Sequence, residues 1–219
     1  MSKKTEELPF EILKCNERDD ITKCVSIVKN GGVIVFPTDT LYGLGCNPYN
    51  KKAVEKIFEI KNRDKMNPLP ILASSIIDIE RIVSLGSTGK KLAEIYWPGA
   101  LTIIVPLIDQ KISNNLRAGE MNIGVRIPNN ICALSLLKGC KYLTGTSANK
   151  SGEQACKSAC EVLSSSLRGF NVILDGGTVE GKIQSTIVDL TGHHPKIIRE
   201  GAIISEAIYT TLERDSRVY

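Results

Sequence analysis

The 219 residues carry 42% hydrophobic and 24% charged side chains, a globular balance that excludes a disordered or low-complexity chain and can bury about 70% of the unfolded surface without a disulfide scaffold. A formal net charge of +4 excludes a histone-like polycation and still allows a basic cleft for an anionic partner. The opening MSKKTEELPFEILKCNERDD has no apolar core ahead of its acidic residues, and no later run approaches the ~18 apolar residues of a membrane span, so the chain reads as cytoplasmic and free of membrane.

In chain order, DDITKCVSIVKNGG reads as an amphipathic helix with Asp19 or Asp20 as N-cap, Ile21, Val25 and Val28 on one face and Gly31 as its stop. Val33 to Phe36 is a short β-branched and aromatic run ended by Pro37, which suits a strand buried on both faces. The following PTDTLYGLG is a turn in which threonine and aspartate can satisfy turn amides and Gly43 and Gly45 can let backbone pass close to sheet or ligand. NKKAVEKIFEIKNR returns to helical spacing through Val54, Ile57 and Phe58 behind an Asn50 cap, with Lys61 and Arg63 at its end, where the helix dipole favours cations.

Further strands are expected at LPILA, LTIIVPL, NIGVRIP, YLTGTS, VILD, TIVDL and KIIR, with helices between several of them. The alternation implies an α/β fold, a twisted mixed sheet flanked by helices. No linker divides it, so one domain over 1–219 is expected, with its core at about 20–205. Tyr42 reads as a core aromatic, and Trp97 as packing at a helix end.

The seven cysteines, Cys15, Cys24, Cys46, Cys132, Cys140, Cys156 and Cys160, form no Cys-x-x-Cys pair. They read as small packing residues in a reducing compartment, with Cys156 and Cys160 at helical i,i+4 spacing. LGSTGKK lacks the first glycine and the final Ser or Thr of a P-loop, GTSAN lacks the second glycine of a nucleophile elbow, and the only histidines, His193 and His194, adjoin in a loop. What remains are strand ends and turns rich in hydroxyls, amides and cations, the equipment for a nucleotide at the carboxyl edge of an α/β sheet.

FPTDTLYGLG, KNRDKMNPLPIL, WPGALTIIV, GVRIP, TSANKSG, ILDGG, STIVDL and IIREGAI occur in the order in which the YrdC/TsaC family of threonylcarbamoyl-AMP synthases carries its motifs. The chain resembles that family from about Cys24 to Ile204. The resemblance implies a YrdC-like fold with a basic concave face and an enzyme joining L-threonine, bicarbonate or CO2 and ATP into threonylcarbamoyl-AMP and pyrophosphate. The product would serve N6-threonylcarbamoylation of adenosine 37 in tRNAs. Mg²⁺ would arrive with ATP, with no organic cofactor, and a threonylcarbamoyl transferase complex would act downstream.

Carried over position by position, the resemblance makes Lys61, Arg63, Ser147 and Asn149 the catalytic set, with Ser147 and Asn149 facing the cations from the opposite wall. Arg63, Asn67, Ser147, Asn149 and Arg199 would hold ATP, and Thr38, Thr40, Arg126 and Ser185 the amino acid. Asp64 departs from a common proline, and Leu72 stands where longer members carry histidine. The chain ends soon after IIREGAI, as short members do. The alternatives are a double-stranded RNA or tRNA-binding module of the same fold without catalysis and a carbamoyl-adenylating domain of the hydrogenase-maturation kind, whose zinc-finger cysteines are absent here.

Overall fold

A computed structural model describes residues 10–64, 67–116, 121–181 and 183–213. The chain begins with β1 (Glu11–Lys14), α1 (Arg18–Lys29), β2 (Ile34–Pro37), β3 (Tyr42–Gly45) and α2 (Lys51–Lys61). It continues through β4 (Ile71–Ala73), α3 (Ile76–Glu80), α4 (Gly86–Tyr96), β5 (Leu101–Pro106), α5 (Gln110–Leu116), β6 (Asn122–Arg126) and α6 (Ile131–Cys140). The last third holds β7 (Tyr142–Thr144), β8 (Thr146–Ser147), α7 (Ala159–Ser164), β9 (Val172–Asp175), β10 (Thr186–Asp189), β11 (Lys196–Arg199) and α8 (Ser205–Glu213). No helix among the described residues is long and apolar enough to cross a membrane.

The expected α/β class and mixed pairing hold, but the strands form two sheets where one was expected. One runs β1-β9-β2-β3-β8 and the other β11-β10-β5-β6-β4-β7. YLTGTS is the reason. It reads as one strand, yet its two halves pair in different sheets, β7 with β4 and β8 with β3, and only Gly145 separates them. The chain thus steps from sheet to sheet within one residue. Beside this step Thr144 N–H donates to Cys46 O at 2.9 Å and Cys46 N–H to the Thr144 hydroxyl at 2.9 Å, so β3 and β7 meet edge to edge. A Cβ on Gly45 would lie 2.3 Å from Thr144 O. Glycine at 45 is therefore a condition of the sheet junction.

Periodicity placed the elements well. β2 is buried throughout, as its apolar run requires: Val35 packs in one core cluster, and Ile34 and Phe36 in the other. Asn50 caps α2 by accepting from Ala53 N–H, and Gly31 follows α1 with φ +89°. Trp97 caps the end of α4 and donates its indole N–H to Leu101 O at 2.7 Å. The cap of α1 is a correction. The helix starts at Arg18 after Glu17, and the Asp20 carboxylate instead accepts from Lys14 N–H at 2.7 Å, joining the helix to β1.

The cysteine reading also needs correcting. Cys15 and Cys132 form a disulfide, with Cα atoms 5.5 Å apart across 117 residues of sequence. β1 pairs in parallel with β9, which brings Cys15 N–H onto Asp175 O and so beside the start of α6. Nothing in the spacing of the cysteines could reveal that. Cys156 lies ahead of α7 and shares no helix face with Cys160.

In the six-stranded sheet one face packs the core and the other lines a pocket. Ile71, Ile103, Ile123, Val125 and Val188 point to the core, while alternate residues Leu72, Thr102, Ile104, Gly124, Arg126 and Ile187 line the pocket, as the period-2 pleat dictates. Replacing Gly45 with alanine should lower stability by about 2 kcal/mol or more, because Thr144 O belongs to a paired strand and cannot yield. Urea unfolding checks this, and an unchanged midpoint would show that the junction tolerates a Cβ.

Candidate active site

The pocket at the sheet junction has a volume of about 770 Å³. All ten residues singled out from the sequence line it: Thr38, Thr40, Lys61, Arg63, Asn67, Arg126, Ser147, Asn149, Ser185 and Arg199. Its lining holds four cations and, among acidic side chains, Asp64. Such a surface selects an anion.

Lys61 and Arg63 arrive through one helix ending. Asn62 takes the left-handed conformation, φ 49° and ψ 48°, and its N–H bonds Glu59 O while Arg63 N–H bonds Phe58 O. This Schellman closure reverses the chain, and asparagine tolerates it better than most side chains. Arg63 is thereby turned into the pocket, where its Nε–H donates to Asn67 O at 3.0 Å.

Lys61 is only 2% exposed. Its ammonium donates to Ser147 O at 2.5 Å, Asn149 O at 2.7 Å and Asn149 Oδ1 at 3.3 Å, and its own carbonyl accepts from Ser151 N–H at 2.8 Å. Lys61, Ser147 and Asn149 are therefore one cluster on one wall, not facing walls, and the lysine answers to that loop rather than to the dipole of its own helix. Asn149 completes the loop by donating Nδ2–H to Lys150 O and Glu153 O. Burial, with Arg63 nearby, pulls the Lys61 ammonium down to about 8, while three oxygen acceptors hold its protons.

The turn after β2 is ordered by hydroxyls. Thr38 Oγ–H donates to Leu41 O at 2.6 Å and accepts from Thr40 and Leu41 N–H. Its single hydrogen being spent, the 3.0 Å contact between the Thr38 and Thr40 hydroxyls must have Thr40 as donor. Thr40 Oγ in turn accepts from Arg126 Nη1 at 3.2 Å. Thr38 thus satisfies the turn, and Thr40 carries the connection to Arg126.

Arg126 ends β6, 6% exposed, and donates Nε–H to Gly99 O at 2.9 Å and Nη2–H to Asp39 Oδ1 at 2.7 Å. Burial lowers its proton affinity and Asp39 opposes that. Arg199 reaches Ser185 O through Nε at 3.1 Å and Nη2 at 2.9 Å, and pairs with the Gln184 amide oxygen. Burial first, then Arg126 and Arg63, lowers its proton affinity too, so the three guanidiniums feel one another. Ser185, the residue before β10, is held to Thr102 of β5 by a 2.9 Å hydroxyl contact on the pocket face. Sequence reading left Asp39, Thr102 and Gln184 without roles. Thr102 had a signal, a polar side chain in an apolar strand, whereas Asp39 and Gln184 had none that distinguishes them from turn residues.

The family model Sua5_yciO_yrdC, described as "Telomere recombination", matches residues 26–201. Two curated proteins named threonylcarbamoyl-AMP synthase are similar to this chain. That of Bacillus subtilis is 32% identical over 190 residues, covering 86% of this chain and 55% of that protein. That of Pyrococcus abyssi is 33% identical over 183 residues, covering 83% and 54%. The chain thus spans about half the length of these relatives. The structure of P. abyssi Sua5 complexed with L-threonine superposes with a TM-score of 0.85 at 30% identity, over 93% of this chain and 60% of that one.

The Lys61 shift has a definite sign. Its folded value near 8 lies below the ordinary 10.5, so between those values the unfolded chain holds a proton that the folded one has shed, and stability rises with pH there. Relative to Lys61→Met, the wild type should gain up to about 3 kcal/mol between pH 7 and 10.5. Paired urea titrations across that range check it; a constant difference would place the ammonium in a water-like setting.

Proposed function

The chain belongs to the Sua5/YciO/YrdC family, and on that premise we propose that it is a threonylcarbamoyl-AMP synthase acting on L-threonine, bicarbonate or CO2 and MgATP. The observation that carries this reading is the convergence of ten motif residues, four of them cations, on one pocket between two sheets. The enzyme would be a nucleotidyltransferase, its product would supply the N6-threonylcarbamoyl group of adenosine 37 in tRNA through a downstream transferase complex, and it would work in the cytoplasm.

The chemistry sets the requirements. The neutral threonine amine adds to CO2 and gives up a proton to solvent, leaving a carbamate anion, and a carbamate oxygen then attacks the α-phosphorus of ATP. The α–β phosphoanhydride breaks and pyrophosphate leaves with the bond's electron pair. Two anions must be held together, so positioning and positive charge do most of the work, and no protein nucleophile is needed. Mg²⁺ enters as part of the nucleotide substrate, on its phosphate oxygens.

In this reading Arg63 and Arg199 take phosphate oxygens, with Asn67, Ser147 and Asn149 beside them. Lys61, its N–H groups engaged by the loop, supplies charge and fixes Ser147 and Asn149. Thr40, Arg126 and Ser185 receive the amino acid, Thr38 supporting Thr40. Anions arriving among Arg63, Arg126 and Arg199 would relieve the repulsion these groups exert on one another.

Pyrophosphate release from MgATP should require both L-threonine and bicarbonate, should fall with L-serine and should stop when EDTA removes the metal. Arg63→Ala should lower it by about a hundredfold or more with unchanged circular dichroism. Release that ignores threonine, or RNA binding without any release, would overturn the reading, the latter in favour of an RNA-binding module.

A further inference from the structure

The Asp39 carboxylate does not line the pocket, yet it holds a residue that does. Its Oδ1 accepts from Arg126 Nη2 at 2.7 Å and from Asn129 N–H at 3.1 Å. It therefore fixes the guanidinium to the chain segment that follows β6. Arg126 has two more anchors, Gly99 O on Nε and Thr40 Oγ on Nη1. Of five N–H donors, three are thus spent inside the protein, and one on each terminal nitrogen is left. From these contacts we infer that Asp39 is a positioning residue for the amino-acid substrate: it holds the Arg126 fork so that its two remaining N–H groups meet the substrate carboxylate.

The inference rests on the amino-acid reading of Arg126 given above. Its physical basis is orientation rather than charge. A carboxylate behind the guanidinium reduces the attraction for an anion in front, so Asp39 would be a poor choice if charge alone mattered. A planar fork binds a carboxylate well only in a fixed plane, and three anchors on two segments, the Asp39–Thr40 turn and Gly99, define that plane. The backbone of Gly181 closes over the same turn: a Cβ there would lie 2.0 Å from Thr40 O and 2.6 Å from Asp39 O.

The inference separates geometry from charge in a variant series. Asp39→Ala should raise the threonine KM by about tenfold or more while the ATP KM stays within about twofold. Asp39→Asn, which keeps an acceptor oxygen in place and loses the charge, should restore the threonine KM to within about threefold of wild type. Asp39→Glu keeps the charge and moves it by one methylene, and should be worse than Asp39→Asn; this comparison decides even if the alanine variant does not fold. Equal shifts in both KM values, an unchanged threonine KM in Asp39→Ala, or a glutamate variant better than the asparagine one would overturn the inference.

A second readout does not depend on turnover. In ¹⁵N-arginine spectra the Arg126 signal, assigned by its loss in Arg126→Lys, should show slow guanidinium rotation in the wild type and fast rotation in Asp39→Ala. Identical rotation would refute the clamp. Wild-type protein that releases no pyrophosphate with threonine would instead refute the synthase reading, with the spectra still judging the clamp.

Discussion

A lysine ammonium buried against the carbonyls of a loop 86 residues further along the chain is the contact on which the site depends. Taking such a charge out of water costs several kcal/mol unless its donors are met. Lys61 meets that demand with Ser147 O, Asn149 O and Asn149 Oδ1. The requirement works in both directions. The lysine cannot stay buried without the loop, and the loop's carbonyls cannot face inward without the lysine. The end of α2 and the strand β8 of the five-stranded sheet are thereby joined where that sheet meets the other.

The second constraint is the pleat of the six-stranded sheet. Its strands must give one face to the core, and the period of two then hands every other position to the pocket. Thr102 and Arg126 sit at such positions between core residues, so the rigidity of a packed sheet is transmitted to polar groups. Arg126 is held by a carboxylate, a hydroxyl and a carbonyl, while Arg63 and Arg199 hang from chain reversals and an edge strand. Arg126 is buried, whereas Arg63 is half-buried and Arg199 exposed.

Positive charge is gathered here at some cost to the unliganded protein. Burial draws Lys61, Arg63, Arg126 and Arg199 below their ordinary values, and Arg126 has Asp39 as its carboxylate partner. An anion entering a site with this imbalance would offset the mutual repulsion of its cations, as the proposed meeting of a carbamate and a triphosphate requires.

The sequence by itself determined most of the elements, because helices and strands follow from local hydrophobic period, caps such as Asn50 and breaks such as Pro37 and Gly31. Through the resemblance of its motifs it also named ten side chains that line one pocket. Tertiary structure alone decided how they are used. Gly145 splits an apparently continuous strand between two sheets, because pairing partners are long-range. Lys61 turns to a distant loop instead of its own helix dipole, because a buried ammonium takes the nearest carbonyls whatever their place in the chain. Cys15 finds Cys132 through a parallel strand pairing. Asp39 reads as a turn aspartate until folding sets Arg126 and Asn129 against it, and no local pattern can encode a partner 87 residues away.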